Sequence, residues 1–195
     1  MSVLESEKIR SEYSKQISKV NLILYWVIAG LVILFKLITD RELMVETTAG
    51  LLLSGGVISG VYLMKVRDEI KGLLIPSLLL GAIYYLFYAK IGMQALLNIT
   101  FVIPFALVAL YFNPRMLLIF GGIFNLVYPS FVLITPEVML GPDWHYQMLL
   151  ARLVVYDLII LVFYFLTTSG NKLIGSFIEK EVQTLMLLNE RNRAI

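Results

Sequence analysis

The sequence predicts an all-α, polytopic membrane protein with six transmembrane helices, both termini cytoplasmic, and a C-terminal coiled-coil-like helix. Three observations carry this expectation. Of the 195 residues, 59% are hydrophobic and only 15% charged, above the apolar share of an ordinary globular domain. Apolar windows near the length that crosses about 30 Å of hydrocarbon recur six times. These windows are continuous rather than alternating, and lipid offers an open backbone no partner, so helices are favoured over barrel strands.

Taken in order, residues 1–19 form a cytoplasmic, amphipathic N-terminal segment, too long and polar to lead into the apolar core of a secretory signal. The spans are placed at 20–39, 47–64, 73–90, 95–112, 116–134 and 148–168, and together they make a sensor domain at 20–168. Pro76 and Pro104 fall inside the third and fourth spans, where each is expected to shape or kink its helix. "SGGVISGVYL" at 54–63 and "FGGIFNLVYP" at 120–129 share a glycine pair followed by Val-Tyr, in spans that run in opposite directions. Two inverted halves would be a transporter pattern, but glycine pairs and tyrosines are common in membrane helices, and chance accounts for the match. Gly56 and Gly60 form a GxxxG that serves close helix packing.

Orientation follows from the positive charges. With the N-terminus inside, Lys8, Arg10, Lys15, Lys19, Lys65, Arg67, Lys71, Arg115, Lys172, Lys180, Arg191 and Arg193 are cytoplasmic, 12 of the 16 basic residues. Lys36, Arg41, Lys90 and Arg152 fall at or near the outer ends. The longest outer loop, "TPEVMLGPDWHYQ" at 135–147, is too short for an extracellular domain. A stimulus is therefore met in the bilayer or at its outer lip.

The segment 169–195 reads as the start of a cytoplasmic signalling helix. Ile174, Ile178, Leu185, Leu188 and Ile195 approach an a/d seam, interrupted by Glu181 and Asn192. Such a seam asks for a partner helix, which predicts a homodimer. Mixed charges at Glu179, Lys180, Glu181, Glu190, Arg191 and Arg193 give no cationic face for anionic lipid, so pairing is favoured over lying on the inner leaflet. No Gly, Asn or Pro stop follows the last periodic position, and the helix is expected to continue.

The stretch "LTTSGNKLIGSFIEKEVQTLMLLNERNRAI" resembles the junction after the last span of six-helix methyl-accepting chemotaxis proteins of Gram-positive type, and "EKIRSEYSKQISKVN" is similar to their start. The resemblance covers roughly a quarter of the chain. It implies a transmembrane sensory input module of a chemoreceptor whose cytoplasmic continuation reaches a histidine kinase through a coupling protein. Related input regions also serve membrane diguanylate cyclases and sensor kinases. The reading from a different class is a small six-helix transporter or channel.

Polar residues within the spans nominate a ligand-binding site. Asp157 lies near the midplane, where an ionised carboxylate must be protonated, paired or hydrated. Arg152, five residues earlier, is about 140° away around the helix and is free to snorkel outward. Depth matching pairs Asp157 with Asn125 and Tyr128, while Asn98, Tyr84, Tyr85 and Tyr88 are placed to line the same outer mouth. The set reads equally as helix glue, polar groups that fix packing by interhelical hydrogen bonds. Trp144 and Tyr146 read as interface anchors with His145 solvated beside them.

Several functions are disfavoured. A net charge of +2, placed where topology explains it, gives no footprint for nucleic acid. With one histidine and no cysteine, haem and closed zinc sites lack ligands, and no cofactor is expected. No nucleophile with a base, phosphate loop or metal-ligand spacing is present, so no enzymatic activity is expected.

Overall fold

The computed structural model describes residues 3–39, 44–88 and 100–193, which form seven helices and, among these residues, no strand. They are α1 (Val3–Thr39), α2 (Met44–Leu63), α3 (Asp68–Tyr88), α4 (Val102–Ala109), α5 (Pro114–Ile134), α6 (Pro136–Leu140) and α7 (Tyr146–Arg193). Four are long and apolar enough to cross a membrane: α1 over Ser11–Leu34, α3 over Asp68–Leu86, α5 over Pro114–Ile134 and α7 over Tyr146–Phe177.

Two of the six expected spans are not among these four. The helix α2 has 20 residues, about 30 Å, and carries Glu46, Thr47, Thr48, Ser54, Ser59 and four glycines among its apolar residues. Of the expected span at 95–112, residues 95–99 lie outside those described, and α4 is 8 residues long, about 12 Å at 1.5 Å per residue. Residues 3–19 of the N-terminal segment are helical and continuous with the first apolar stretch.

Local chemistry sets the helix boundaries at two turns. Asn113 caps α5, its Oδ1 accepting from the amides of Arg115 at 3.1 Å and Met116 at 3.4 Å, and Pro114 occupies the first turn, where its missing N–H costs nothing. Pro136 likewise opens α6, which ends at Gly141 with φ 102°, a conformation that glycine adopts without penalty. Nothing interrupts α7 for 48 residues, about 72 Å of helix.

Packing divides the bundle into two triplets. The helices α1, α2 and α3 pack on one another, as do α4, α5 and α7, and α3 joins the triplets by packing on α4 and α5. An inverted two-fold exchanging the triplets would also seat α7 on α1 or α2, and among the described residues no comparable packing exists there. The centre of the second triplet is aromatic: Phe101, Phe105, Phe120, Phe124 and Tyr128 are fully buried. Phe120, Phe124 and Tyr128 recur every four residues along one face of α5.

Side-chain ties fix which residues share each end. At one end the Tyr13 hydroxyl donates to the Leu110 carbonyl at 3.1 Å, and Ser18 Oγ meets the Tyr111 hydroxyl at 2.8 Å. There Phe112, the one non-glycine residue with positive φ among those described, sets its ring against Gly170, where a Cβ has no room. At the other end Tyr84 bonds Thr135 at 3.0 Å and stacks on Phe131 at 4.0 Å. The start of α1 and residues 171–193 of α7 thus extend past the same end of the bundle.

Gly72 tests this packing. A Cβ there would lie 2.6 Å from Met116 Cε and 2.8 Å from Tyr111 Cζ. Gly72→Leu is expected to lower stability by about 1–3 kcal/mol through overpacking, whereas Gly175→Leu, with open space around it, should change it by no more than about 0.5 kcal/mol. Thermal unfolding of the two variants in detergent checks the difference.

Candidate functional site

The seam between α5 and α7 gathers most of the expected site residues and splits them into two groups. Adjacent residues on a helix point about 100° apart, so Tyr156 enters the core while Asp157 leaves it. Tyr156 and Tyr128 are 4% and 1% exposed, with ring centroids 5.1 Å apart. Phe124 stacks on Tyr128 at 5.2 Å and meets Tyr156 edge-on at 5.0 Å, and Phe101 closes the cluster at 5.3 Å from Tyr128. Edge-to-face and offset geometries at these distances each stabilise by about 0.5–1.5 kcal/mol beyond burial.

Arg152 lies one turn before Tyr156, so its side chain rises on the same side of α7. Its Nη1 donates to the Met139 carbonyl at 2.7 Å, one of the carbonyls that the end of a short helix leaves unpaired. That bond ties α6 and its loop to α7. The Tyr128 hydroxyl is within electrostatic reach of Arg152 and Tyr156, but makes no hydrogen bond of ordinary geometry. The group is thus a half-buried guanidinium beside two phenols, roofed by α6.

The second group faces outward. Asn125 Nδ2 donates to Asp157 Oδ1 at 2.9 Å, and both residues are exposed on the bundle surface. Asp157 is 11 positions from Tyr146 and 13 from Gly170, the residues nearest the two ends of the bundle on α7. The pair therefore sits about halfway between those ends. The expected single cluster of Asp157, Asn125 and Tyr128 is two arrangements back to back, because Tyr128 turns inward to Tyr156 while Asn125 turns outward to Asp157.

The other nominated residues are placed as follows. Asn98 lies outside the described residues. Tyr84 is spent on Thr135 and Phe131, and Tyr85 donates to the Glu46 carbonyl at 3.0 Å, with its ring against Gly50. Trp144 and Tyr146 meet edge-on at 5.3 Å, and His145 is exposed between them. In the tail, Ile174 is half-buried; α7 runs through Ile178, Leu185 and Leu188, whose side chains lie outside those described. Tyr156 and Met139 were not anticipated. The four-residue spacing of Phe101 with Phe105, and of Phe120, Phe124 and Tyr128, was the available signal, since it predicts one aromatic face on each helix.

A cavity of about 470 Å³ opens at the end from which the tail extends, lined in part by Ser14, Arg67, Asp68, Tyr111 and Asn113. Its polar groups are largely satisfied within the chain. Arg67 pairs with Glu69 at 2.9 Å, Asp68 with Lys71 at 3.5 Å, and Asn113 serves as the α5 cap. The Tyr111 hydroxyl is held by Ser18. Asn21, wholly buried beside Tyr111, and Ser14 Oγ make no hydrogen bond of ordinary geometry.

Among the described residues no three His, Asp or Glu side chains come together as a metal site. The Arg152 group offers binding chemistry: a planar array of donors suited to an anionic or carbonyl group, beside aromatic faces. No family model matches the chain, and no curated protein or solved structure similar to it was found.

Replacing Arg152 isolates the roof contact. Arg152→Ala should lower stability by about 1–3 kcal/mol, because the Met139 carbonyl loses a charge-assisted partner in a half-buried place. It should also open the loop at 135–147 to limited proteolysis in detergent. An unchanged cleavage rate would mean that the bond does not hold the loop.

Proposed function

We propose that this chain is the transmembrane sensory input module of a bacterial chemoreceptor of methyl-accepting type, seated in the cytoplasmic membrane with both termini inside. The single observation that carries the reading is the continuity of α7. One unbroken helix begins beside the α6 roof, passes the Arg152–Tyr156–Tyr128 cluster, and continues to Arg193 beyond the far end of the bundle. A displacement at the cluster is delivered to the tail without a hinge between them.

In this reading α2 and the region at 95–112 supply the two further spans, and the loop bearing α6 faces outward. The module does no chemistry of its own. A ligand or a change in membrane state alters the contacts of Arg152 and its phenols and shifts α7. Residues 169–195, with the seam at Ile174, Ile178, Leu185 and Leu188, pair with a second copy and pass the shift toward a coupling protein and a histidine kinase. The asymmetric joining of the triplets through α3 supports this reading over a two-half transporter. The resemblance of the tail and of the N-terminal segment to chemoreceptor junctions supports it also.

The relay is testable without knowing the stimulus, because the chain contains no native cysteine. Leu185→Cys should form interchain disulfides in native membranes, and adding Arg152→Ala should change their rate severalfold when normalised to the amount of inserted protein. Identical rates in both backgrounds would contradict a relay from the cluster to the tail.

A further inference from the structure

We infer that the exposed Asn125–Asp157 pair is the intramembrane contact between two copies of this chain. The inference rests on the dimeric, membrane-spanning reading above and names the surface through which that dimer forms inside the bilayer. A carboxylate and an amide halfway along a spanning segment are not left facing acyl chains; such groups turn toward protein or water. Here they face away from their own bundle. Something polar must cover them.

A second copy fits what the surface offers. A two-fold axis along the membrane normal brings together residues of equal depth, so the pair meets its own image with no further coincidence. The pair is also self-complementary: Asn125 keeps one amide hydrogen and Asp157 keeps Oδ2, so each protomer can donate to and accept from the other. The surroundings permit close approach. Gly122, one turn from Asn125, is exposed with open space around it, and small residues at such positions let helices come together. Of the four candidate spans α7 is the least covered by its own bundle, with 11% of its apolar window buried. Leu150, Leu158 and Leu161 stand exposed around Asp157.

The tail gives an independent reason. Asp157 precedes Ile178 by three heptads and Leu185 by four, so in a left-handed supercoil all three share one stripe. A pair of α7 helices that meets at the tail seam therefore continues upward onto the polar pair. The intramembrane contact and the cytoplasmic seam are one interface.

Single cysteines in the otherwise cysteine-free full chain, oxidised in native membranes, test this. Gly122→Cys and Leu161→Cys, beside the pair, should crosslink at least several times faster than Val57→Cys, exposed on α2 in the other triplet, and Leu166→Cys, on the opposite side of α7. Adding Asp157→Leu should weaken dimerisation about threefold or more, the loss expected of one interhelical hydrogen bond, while Asp157→Asn should retain it. Equal crosslinking at the four positions would overturn the inference. Crosslinking at Ile178→Cys in that case would leave the dimeric receptor reading standing, and its absence as well would sink both. If Asp157→Leu fails to accumulate, the crosslinking pattern of the four single variants decides alone.

Discussion

A backbone surrounded by hydrocarbon has no partner but itself, and a polar side chain there has none but its neighbours. That constraint shapes every element described above. It confines the chain to helices, sends Tyr13, Tyr84 and Tyr85 to carbonyl or hydroxyl partners near helix ends, and makes Arg152 reach for the Met139 carbonyl instead of remaining in apolar surroundings. It also makes the outward pair of Asn125 and Asp157 informative, because the same pair on a soluble protein would need no explanation.

Within this frame α7 is gripped near two levels. Near its start Arg152 and Tyr156 lock it to α6 and to the aromatic face of α5. Near the other end of the bundle Gly170 receives the ring of Phe112, which a left-handed backbone at φ 47° aims across the gap. A non-glycine residue in that conformation costs about 1–2 kcal/mol, and the neighbouring Tyr13 ring, 6.2 Å away, helps hold it in place. The two grips are 18 residues apart, about 27 Å along the helix axis. Beyond the second, α7 leaves its own bundle.

How much of this the sequence shows depends on the kind of interaction. The helical class and the positions of α1, α3, α5 and α7 were legible, because long apolar runs and period 3.6 are properties of contiguous residues. The other two spans rested on apolar content alone, which does not set where a helix starts and stops: α2 scatters Thr, Ser and Gly among its apolar residues, and residues 95–99 lie outside those described. The Asn125 and Asp157 partnership was legible because both residues are rare in apolar helices and their depths match. Its outward face was not, because facing depends on how α5 and α7 rotate against α4. Tyr128 was grouped with Asp157 for the same reason, although the adjacent Tyr156 is what it meets. The Arg152 roof depended on a short helix in a loop that carried no more than two prolines and a glycine as signals.

The central claim is mechanical: α7 is one continuous helix from the α6 roof to the tail. Spin labels on Tyr146→Cys and Thr184→Cys, introduced into a chain without other cysteines and diluted with unlabelled protein in bilayers, measure it directly by their pairwise distance. A continuous helix predicts a narrow distribution centred at about 57 Å, the rise of 38 residues at 1.5 Å each. A broad distribution, or one centred below about 45 Å, would place a break between the bundle and the tail, and the relay would have no rod to act through.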